Sequence, residues 1–404
     1  MVATALADWQ WLAKSAEREL AEIAYWWRDN ALALQGFVGH ISNDGLVDAN
    51  AEKSAILNTR ILWFFSAAAK ARPELNVTPL AMHAFDYLKA HFWDAKDSGI
   101  YWSLHADGTA SNTKKQTYAQ AFGIYALSAY YELTASEEAL AMAKAIFDCI
   151  ESHCLDDITG GYIEALDKRW HPLADMRLSE KDANAPKSMN THLHVLEAYT
   201  ALFGVVKTED VKLALRKNIL WMGENIYNPL SQHLRLFMDM HWRDQSVHYS
   251  FGHDVEASWL LNEALNALGD EVLTQRFKPA VLNLVDRCLK DGIGSEGQVL
   301  DWQRIQGGER SSISEWWIQA EAMVAFANAW QLTGNQHYLE AAERVWQFII
   351  EHHKDAVGGE WFWADLKNNP QAPPFYKVGF WKGPYHNGRA MLQVAERLRA
   401  NVAD

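Results

Sequence analysis

Histidines in polar stretches are the residues of this sequence best suited to acid/base chemistry. His386 lies in the segment Lys377–Arg389, where Gly379, Gly383 and Pro384 separate an aromatic loop from the last helical pattern of the chain. A loop so rich in Trp, Tyr, Lys and His predicts more than a connection between two helices. Because imidazole changes charge near neutral pH, we expect His386 to be an acid or base that needs a partner elsewhere.

The stretch Phe251–Glu256 supplies the first candidate partner. His253 and Glu256 are three positions apart and share one face of a helix. A carboxylate beside an imidazole stabilises the charged form of the ring, so Glu256 is expected to support His253. A surface ion pair is the alternative, but Trp259 and two leucines follow closely, which argues against a fully exposed pair.

The stretch Asn190–His194 supplies a third histidine. Asn190 and His194 are four positions apart and share a helix face, whereas His192 points about 200° away from His194. The two histidines are therefore not expected to share a metal ion. A hydrogen-bonded core position is the better interpretation of His192.

Other polar residues interrupt apolar helical patterns. Arg60 lies among Ile, Leu and Trp residues and must be paired or line a cavity. Tyr118 is similarly placed, and of Trp316 and Trp317 one is expected to face a cavity and the other the core. No phosphate-binding loop, serine nucleophile elbow or zinc-protease motif occurs. A glycosidase would need two opposed carboxylates, whereas two histidines suit proton transfer at carbon near pH 7.

Composition narrows the class of partner. Lys and Arg total 37 against 51 Asp and Glu, for a net charge of −14, and no basic cluster stands out. We therefore expect neither nucleic-acid nor membrane partners. Three scattered cysteines predict free thiols, and neither a signal peptide nor a transmembrane run is recognised. A cytoplasmic monomer that needs no metal or other cofactor is the expectation.

A repeated pattern positions these residues. Glycines at 45, 99, 160, 292 and 358 each precede apolar or aromatic residues, and the long third interval predicts a sixth, degenerate unit near 231–239. Six units of two helices and a hairpin predict one (α/α)6-barrel domain over residues 1–404, with an open solenoid as the alternative. The twelve helical patterns span 9–34, 51–71, 79–92, 116–133, 137–154, 188–203, 209–227, 255–268, 271–289, 314–332, 336–353 and 387–400.

Five stretches together resemble a known family. They follow one another in the family's order within a match from about Arg60 to Arg389, and they resemble the N-acylglucosamine 2-epimerase superfamily, within it the cellobiose 2-epimerases. The resemblance implies an (α/α)6 barrel independently of the repeats. The stretches are 115–127, 189–199, 251–261, 316–322 and 381–389.

By this resemblance, His253 and His386 correspond to two acid/base histidines, Glu256 supports its neighbour His253 on the same helix turn, and His194 corresponds to a third active-site histidine. Further positions match those that line the family's substrate cavity, namely Arg60, Tyr118, Asn190, Trp316 and Trp381.

The resemblance implies 2-epimerisation of the reducing-end glucose of cellobiose, lactose or a similar β-1,4-disaccharide. Ring opening, removal of the C2 proton and a cis-enediolate would lead to the mannose epimer, without a cofactor. A mannose 2-epimerase or a mannose/glucose aldose–ketose isomerase acting on free monosaccharides is the alternative. A glycosidase or lyase, or a sugar-binding protein without activity, is a more distant one.

Overall fold

A computed structural model describes residues 2–365, 367–368 and 375–400. Twelve α-helices in these residues alternate between an outer and an inner ring. The outer helices are α1 (Val2–Asn30), α3 (Thr78–Tyr87), α5 (Glu137–Cys149), α7 (Glu209–Trp221), α9 (Glu271–Asp291) and α11 (Gln336–Phe348). The inner helices are α2 (Ala55–Ala71), α4 (Thr117–Thr134), α6 (Met189–Val205), α8 (Phe251–Leu268), α10 (Trp316–Thr333) and α12 (His386–Ala400).

The inner helices close into a ring. Each packs against the next from α2 to α12, and α12 packs against α2. Each outer helix packs against an inner neighbour, which encloses the inner helices on nearly all sides and explains their even hydrophobicity. This arrangement confirms the predicted (α/α)6 barrel and excludes the open solenoid. Single turns extend several helices, as a 3₁₀ turn at Pro73–Leu75 and π turns at Leu88–Phe92, Ile150–Cys154, Met222–Ile226 and Ile349–His353.

Short antiparallel strands cover the end of the barrel where the inner helices begin. The pairs are β1 with β13, β2 with β3 and β3 with β4, β5 with β6, β7 with β10, β8 with β9, and β11 with β12. The β1–β13 pair joins the two ends of the chain. The strands are β1 (Ile41–Ser42), β2 (Lys53–Ser54), β3 (Ser103–Leu104), β4 (Ala110–Asn112), β5 (Lys115–Gln116), β6 (Ala165–Leu166), β7 (Lys187–Ser188), β8 (Tyr227–Asn228), β9 (His233–Leu234), β10 (Phe237–Met238), β11 (His248–Ser250), β12 (Trp302–Arg304) and β13 (Tyr376–Val378).

A hairpin follows every outer helix, so the sixfold repeat is confirmed. In the predicted degenerate unit, Gln232 has a φ of 62° and takes the left-handed turn position that glycine holds elsewhere. Two assignments were wrong, because the first repeat turns at Gly36 rather than Gly45 and the fifth hairpin turns at Gly297 rather than Gly292. The paired residues are Leu32–Phe37, Trp93–Ile100, Leu155–Tyr162, Tyr227–Leu234, Ile293–Val299 and Lys354–Trp361.

Four inner helices hold their hairpins through the fourth residue of the helix. The His192 Nε2 atom accepts the Tyr162 N–H at 2.9 Å, and its Nδ1 lies 2.7 Å from the Ser188 carbonyl. Gln120, Asp254 and Gln319 accept the corresponding hairpin N–H groups of Ile100, Leu234 and Val299. His192 is therefore a structural residue, as expected.

Two other expectations concern cysteines and membranes. Cys149, Cys154 and Cys288 are free thiols, as predicted. Among the helices described, none combines the length and apolarity required to cross a membrane.

A buried ion pair anchors the third hairpin. Lys187 Nζ lies 2.8 Å from Asp156 Oδ2, and both side chains are buried. Burial opposes ionisation of Asp156, but hydrogen bonds from Lys187 and Thr159 lower its pKa to about 2. Because the pKa is depressed in the fold, the pair's contribution is complete above the ordinary aspartate pKa and is lost as the pH falls through about 2.

Asp156→Asn is expected to leave Lys187 buried without a counter-charge and to lower the free energy of unfolding by about 3–5 kcal/mol at pH 7. The difference from the parent protein should shrink as the pH is lowered from 5 towards 2.5. Urea unfolding at several pH values measures both effects. Asp157→Asn, at the exposed neighbouring position, is the control, and an equal loss in both variants would contradict the prediction.

Candidate active site

One layer of side chains fills the centre of the barrel. Five inner helices contribute their sixth residue, and α12 contributes Arg389 from its first turn. These side chains contact one another across the axis, for example Arg60 over the Phe122 ring and Phe122 against His194. The layer consists of Arg60, Phe122, His194, Glu256, Glu321 and Arg389, all buried.

Arg389 connects three buried carboxylates. Its Nη2 donates to Glu256 Oε1 at 2.7 Å and to Glu321 Oε1 at 2.6 Å. Its Nη1 donates to Glu197 and to the Tyr385 hydroxyl, which itself donates to Glu197 at 2.7 Å. Since buried charges must be paired, the guanidinium is the electrostatic centre of this layer.

The three carboxylates differ in proton affinity. Burial opposes ionisation of Glu197, but Arg389 and His194 lower its pKa to about 2. Burial raises the pKa of Glu256 and of Glu321, and Arg389 offsets only part of that effect. Glu197 is therefore a fixed anion, whereas the Glu256–Glu321 pair holds protons more readily.

His386 faces this layer from the start of α12. Its Nδ1 lies 2.6 Å from Glu321 Oε1 and 4.0 Å from Glu256 Oε1. A carboxylate accepts only, so Nδ1 carries a proton and Nε2 is free to exchange one. Burial, and then the cations of Arg60 and Arg389, lower the pKa of His386 well below its ordinary value.

His253 lies across Trp317 from His386. The Trp317 ring centroid is 4.9 Å from that of His253 and 5.6 Å from that of His386. The Nδ1 atom of His253 lies 2.7 Å from the Ser250 hydroxyl. Burial, followed by His194 and His248, lowers the pKa of His253 to about 3.

The expected support of His253 by Glu256 was wrong. Glu256 lies one turn further along α8, where its hydrogen bond goes to Arg389 and its nearest imidazole is His386. Ser250 holds Nδ1 of His253 instead. The i, i+3 spacing correctly placed the two side chains on one helix face. The carboxylate of Glu256 nevertheless accepts a hydrogen bond from Arg389 on α12 instead of His253.

His194 and Asn190 complete the inner wall. The Nδ1 atom of His194 lies 3.0 Å from Glu197 Oε2, and burial lowers the pKa of the ring. The ring packs edge-on against Tyr118, 4.8 Å between centroids. Asn190 Oδ1 is buried with no hydrogen-bond partner among the described residues, so an acceptor is available to a ligand hydroxyl.

The remaining predicted residues lie around the same wall. Arg60 donates to the Tyr118 hydroxyl at 3.0 Å and to the Trp381 carbonyl at 2.6 Å. Trp381 is half-buried against Trp102, whereas Trp316 is buried. Contacts link eight of the nine predicted residues, in part through Trp317, Glu197 and Arg389, and Asn190 lies one turn before His194 on α6.

One tryptophan of the pair packs in the core and the other faces the site, as expected. Trp317, rather than Trp316, is the one that contacts both His253 and His386. Trp316 packs 4.4 Å from Trp363 and only its edge reaches towards His386, at 6.2 Å. Trp317 shares the second helical position with Tyr118 and Asn190 on their own helices. Because Tyr118 and Asn190 were predicted for the site, the equivalent position in α10 could have identified Trp317 from the sequence.

Sequence reasoning also missed four polar residues of the site. Glu197 and Glu321 are charged residues in apolar helices, which is the argument that identified Arg60, whereas Arg389 lies in a helix with several other charged residues. Ser250 is the N-cap of α8, a common position for serine that gives no signal of a site. The structure adds Glu197, Glu321 and Arg389 because they meet across the barrel from distant parts of the chain.

Glu256, Glu321 and His386 offer ligand atoms within 4.8 Å of one another, a spacing that could hold a metal ion. Arg389 already donates to both carboxylates at the facing oxygen atoms. A metal ion would have to displace this guanidinium from fully buried partners. The donor set therefore fits an arginine-bridged cluster better than a metal centre.

Metal independence remains a prediction. Prolonged dialysis against EDTA is expected to leave the turnover rate unchanged, because the guanidinium supplies the positive charge between the carboxylates. Rates measured before and after dialysis, and after addition of Mg²⁺, Mn²⁺ or Zn²⁺, test this. A loss of activity that one of these ions restores would contradict it.

Comparison with known proteins places this chain in a family. The profile of N-acylglucosamine 2-epimerase (GlcNAc 2-epimerase) matches residues 36–377. A cellobiose 2-epimerase of Bacteroides fragilis is 41% identical over 359 residues, covering 89% of this chain and 91% of that protein. The solved cellobiose 2-epimerase of Bacillus thermoamylovorans superposes with a TM-score of 0.90 at 34% identity, covering 96% of this chain and 100% of that one.

More distant similarity extends to another sugar enzyme. A D-mannose isomerase of Marinomonas mediterranea is 23% identical over 381 residues, covering 90% of this chain and 91% of that protein.

Proposed function

Because the chain belongs to the N-acylglucosamine 2-epimerase family, we propose that it is a sugar 2-epimerase acting on cellobiose and related β-1,4-disaccharides. The reaction interconverts the glucose at the reducing end with mannose. Relatives named cellobiose 2-epimerase are 35–41% identical over most of the chain, whereas the D-mannose isomerases are at 23–24%.

One geometric observation supports this proposal most directly. His253 and His386 flank Trp317, and each has its Nδ1 atom held by the protein. Both rings are thereby oriented with Nε2 free. Two such groups are what proton removal and return at a single carbon require.

The reaction begins with the open-chain sugar, whose C1 aldehyde acidifies the proton at C2. One histidine removes that proton and becomes an imidazolium, and the electron pair moves to give an enediolate. Arg60 and His194 are the groups placed to stabilise the enediolate oxygens. The other histidine, which enters the step as an imidazolium, returns its Nε2 proton to the opposite face of C2, and proton exchange with water resets the pair. The number of bonds and electrons is unchanged, so the cycle consumes no oxidant or cofactor.

Aromatic and unpaired polar groups suit a carbohydrate. The half-buried rings of Trp317 and Trp381 offer apolar faces to the C–H surface of a sugar. Asn190 Oδ1 and Trp316 Nε1 are buried without a hydrogen-bond partner in the described part of the chain. A sugar hydroxyl can donate to the first and accept from the second, which would satisfy both.

Incubation with cellobiose in D₂O, followed by NMR, tests the proposal. We expect the mannose epimer to appear with deuterium at C2. Glucose released from the disaccharide would instead identify hydrolysis, and binding without any change of the sugar would identify a binding protein. Either outcome contradicts the proposed reaction.

Action on free monosaccharides is the second candidate, because D-mannose isomerases are among the relatives. Return of the proton to C1 rather than C2 would give a ketose from the same enediolate. Parallel incubations with mannose and glucose separate the two. Faster conversion of mannose than of cellobiose would favour the second candidate.

The remaining expectations are part of the proposal. We infer a single catalytic domain over residues 1–404 that acts in the cytoplasm as a monomer, with a carbohydrate as its only required partner. Size-exclusion chromatography with light scattering tests the monomeric state, and a dimer mass would contradict it.

A further inference from the structure

The two candidate acid/base histidines differ in the group that holds Nδ1. His386 is paired with Glu321, a buried carboxylate that also accepts from Arg389 and from Trp259 Nε1. His253 is paired with the neutral hydroxyl of Ser250 at 2.7 Å. A carboxylate stabilises an imidazolium much more strongly than a hydroxyl does.

Ser250 has a second contact that fixes its position. It is the N-cap of α8, and its Oγ accepts the backbone N–H of His253 at 3.4 Å. Its backbone lies in β11, which pairs with β12 opposite Trp302. The hydroxyl is therefore held on both sides, by a strand and by the first turn of the helix that carries His253.

From these contacts we propose that Ser250 is a positioning residue for the epimerisation. Its oxygen accepts the Nδ1 proton of His253, which turns Nε2 towards the substrate. The hydroxyl carries no charge, so it fixes the ring of His253 without adding a counter-charge to it. This inference rests on the proposed function.

The charges around His253 make its proton affinity sensitive to the group at position 250. Three titratable groups face it from the packed elements in addition to His386 across Trp317. His194 on α6 and His248 on β11 disfavour its charged form, and only Glu321 on α10 favours it. A new carboxylate at position 250 would therefore have a strong local effect.

Three variants at this position test the inference. Ser250→Ala removes the hydroxyl and is expected to lower kcat/KM on the order of 100-fold, since small misplacements of a reacting group cost about that much. The Haldane relation requires the same factor for both directions. Ser250→Thr keeps the hydroxyl and the cap and should restore kcat/KM to within a few-fold of the parent value.

Ser250→Asp supplies the readout that a purely structural role would not change. Aspartate is also a good N-cap, so the start of α8 is preserved. The added carboxylate is expected to raise the proton affinity of His253 and to move the acidic limb of the kcat/KM profile to higher pH. An unchanged limb would contradict the inference.

Ser136→Ala is the matched control, because Ser136 is the N-cap of the outer helix α5 and accepts from the Ala139 N–H. It shows what loss of a cap does away from the site, and thermal unfolding of all variants is compared with it. If Ser250→Ala retains as much kcat/KM as Ser136→Ala, the inference is wrong although the epimerase assignment stands. If the parent protein epimerises none of the sugars, both are wrong.

Discussion

Replacement of His386 by Asn is expected to lower kcat/KM on the order of 10⁴-fold, and His253→Asn should have a similar effect. In the proposed mechanism each imidazole moves the C2 proton on one face, and general acid/base groups contribute up to about 10⁴-fold. Neither Asn nor Ala can exchange a proton near neutral pH. Initial rates of epimer formation from cellobiose, monitored by NMR, measure the loss.

A matched control is available inside the same fold. His192 is a fully buried histidine whose function is to hold the Tyr162 N–H. Glutamine performs that function in α4 and α10, as Gln120 and Gln319. His192→Gln should therefore retain nearly full turnover per folded molecule. Near-normal turnover in either His386→Asn or His253→Asn, with a native circular dichroism spectrum, would refute the two-histidine mechanism.

Replacement of Arg389 by Met is expected to cost the most stability, at least about 3–5 kcal/mol in the free energy of unfolding. The substitution leaves Glu197, Glu256 and Glu321 buried together without their cation. Urea unfolding at pH 7 measures the loss. Turnover should also disappear, because the same guanidinium holds Glu321 against His386.

The effect of pH on this variant follows from the signs of the shifts. Burial raises the pKa of Glu256 and Glu321, and without Arg389 the rise is larger. A carboxyl whose pKa is raised in the fold stabilises it below the unfolded pKa and loses that contribution as the pH rises through the folded pKa. The deficit of the variant should therefore be larger at pH 8 than at pH 5.

Arg397→Met is the control on the same helix. Arg397 is also buried, but its carboxylate partner Glu263 is 40% exposed and can be hydrated. A smaller loss is expected for this variant. An equal loss for both arginines would show that burial of the side chain, rather than the three carboxylates, sets the stability.

Much of the site was accessible from the sequence because its members follow the repeat. Arg60, His194 and Glu256 lie at the same position of three inner helices; Arg60 stood out as a polar residue in an apolar pattern, and the other two by their spacing on a helix face. Spacing on one helix correctly separated His194 from His192. These inferences needed only periodicity, which is a local property of the chain.

Local spacing was misleading where a distant group competed. Glu256 shares a helix face with His253, but it binds Arg389, 133 positions away. Likewise, Glu321 holds His386 from 65 positions away, and Glu197 meets Arg389 from 192 positions away. A buried carboxylate takes the strongest donor within reach, and closure of the ring determines which donor that is.

The sequence by itself thus determined the barrel, its six repeats and the histidines that can exchange protons, since periodicity and residue chemistry are written along the chain. Only the tertiary structure decided which group holds the Nδ1 atom of each histidine, namely Glu321 for His386 and Ser250 for His253. The physical reason is that proton affinity in a buried site depends on charges a few ångströms away, and those charges come from different helices of a closed ring.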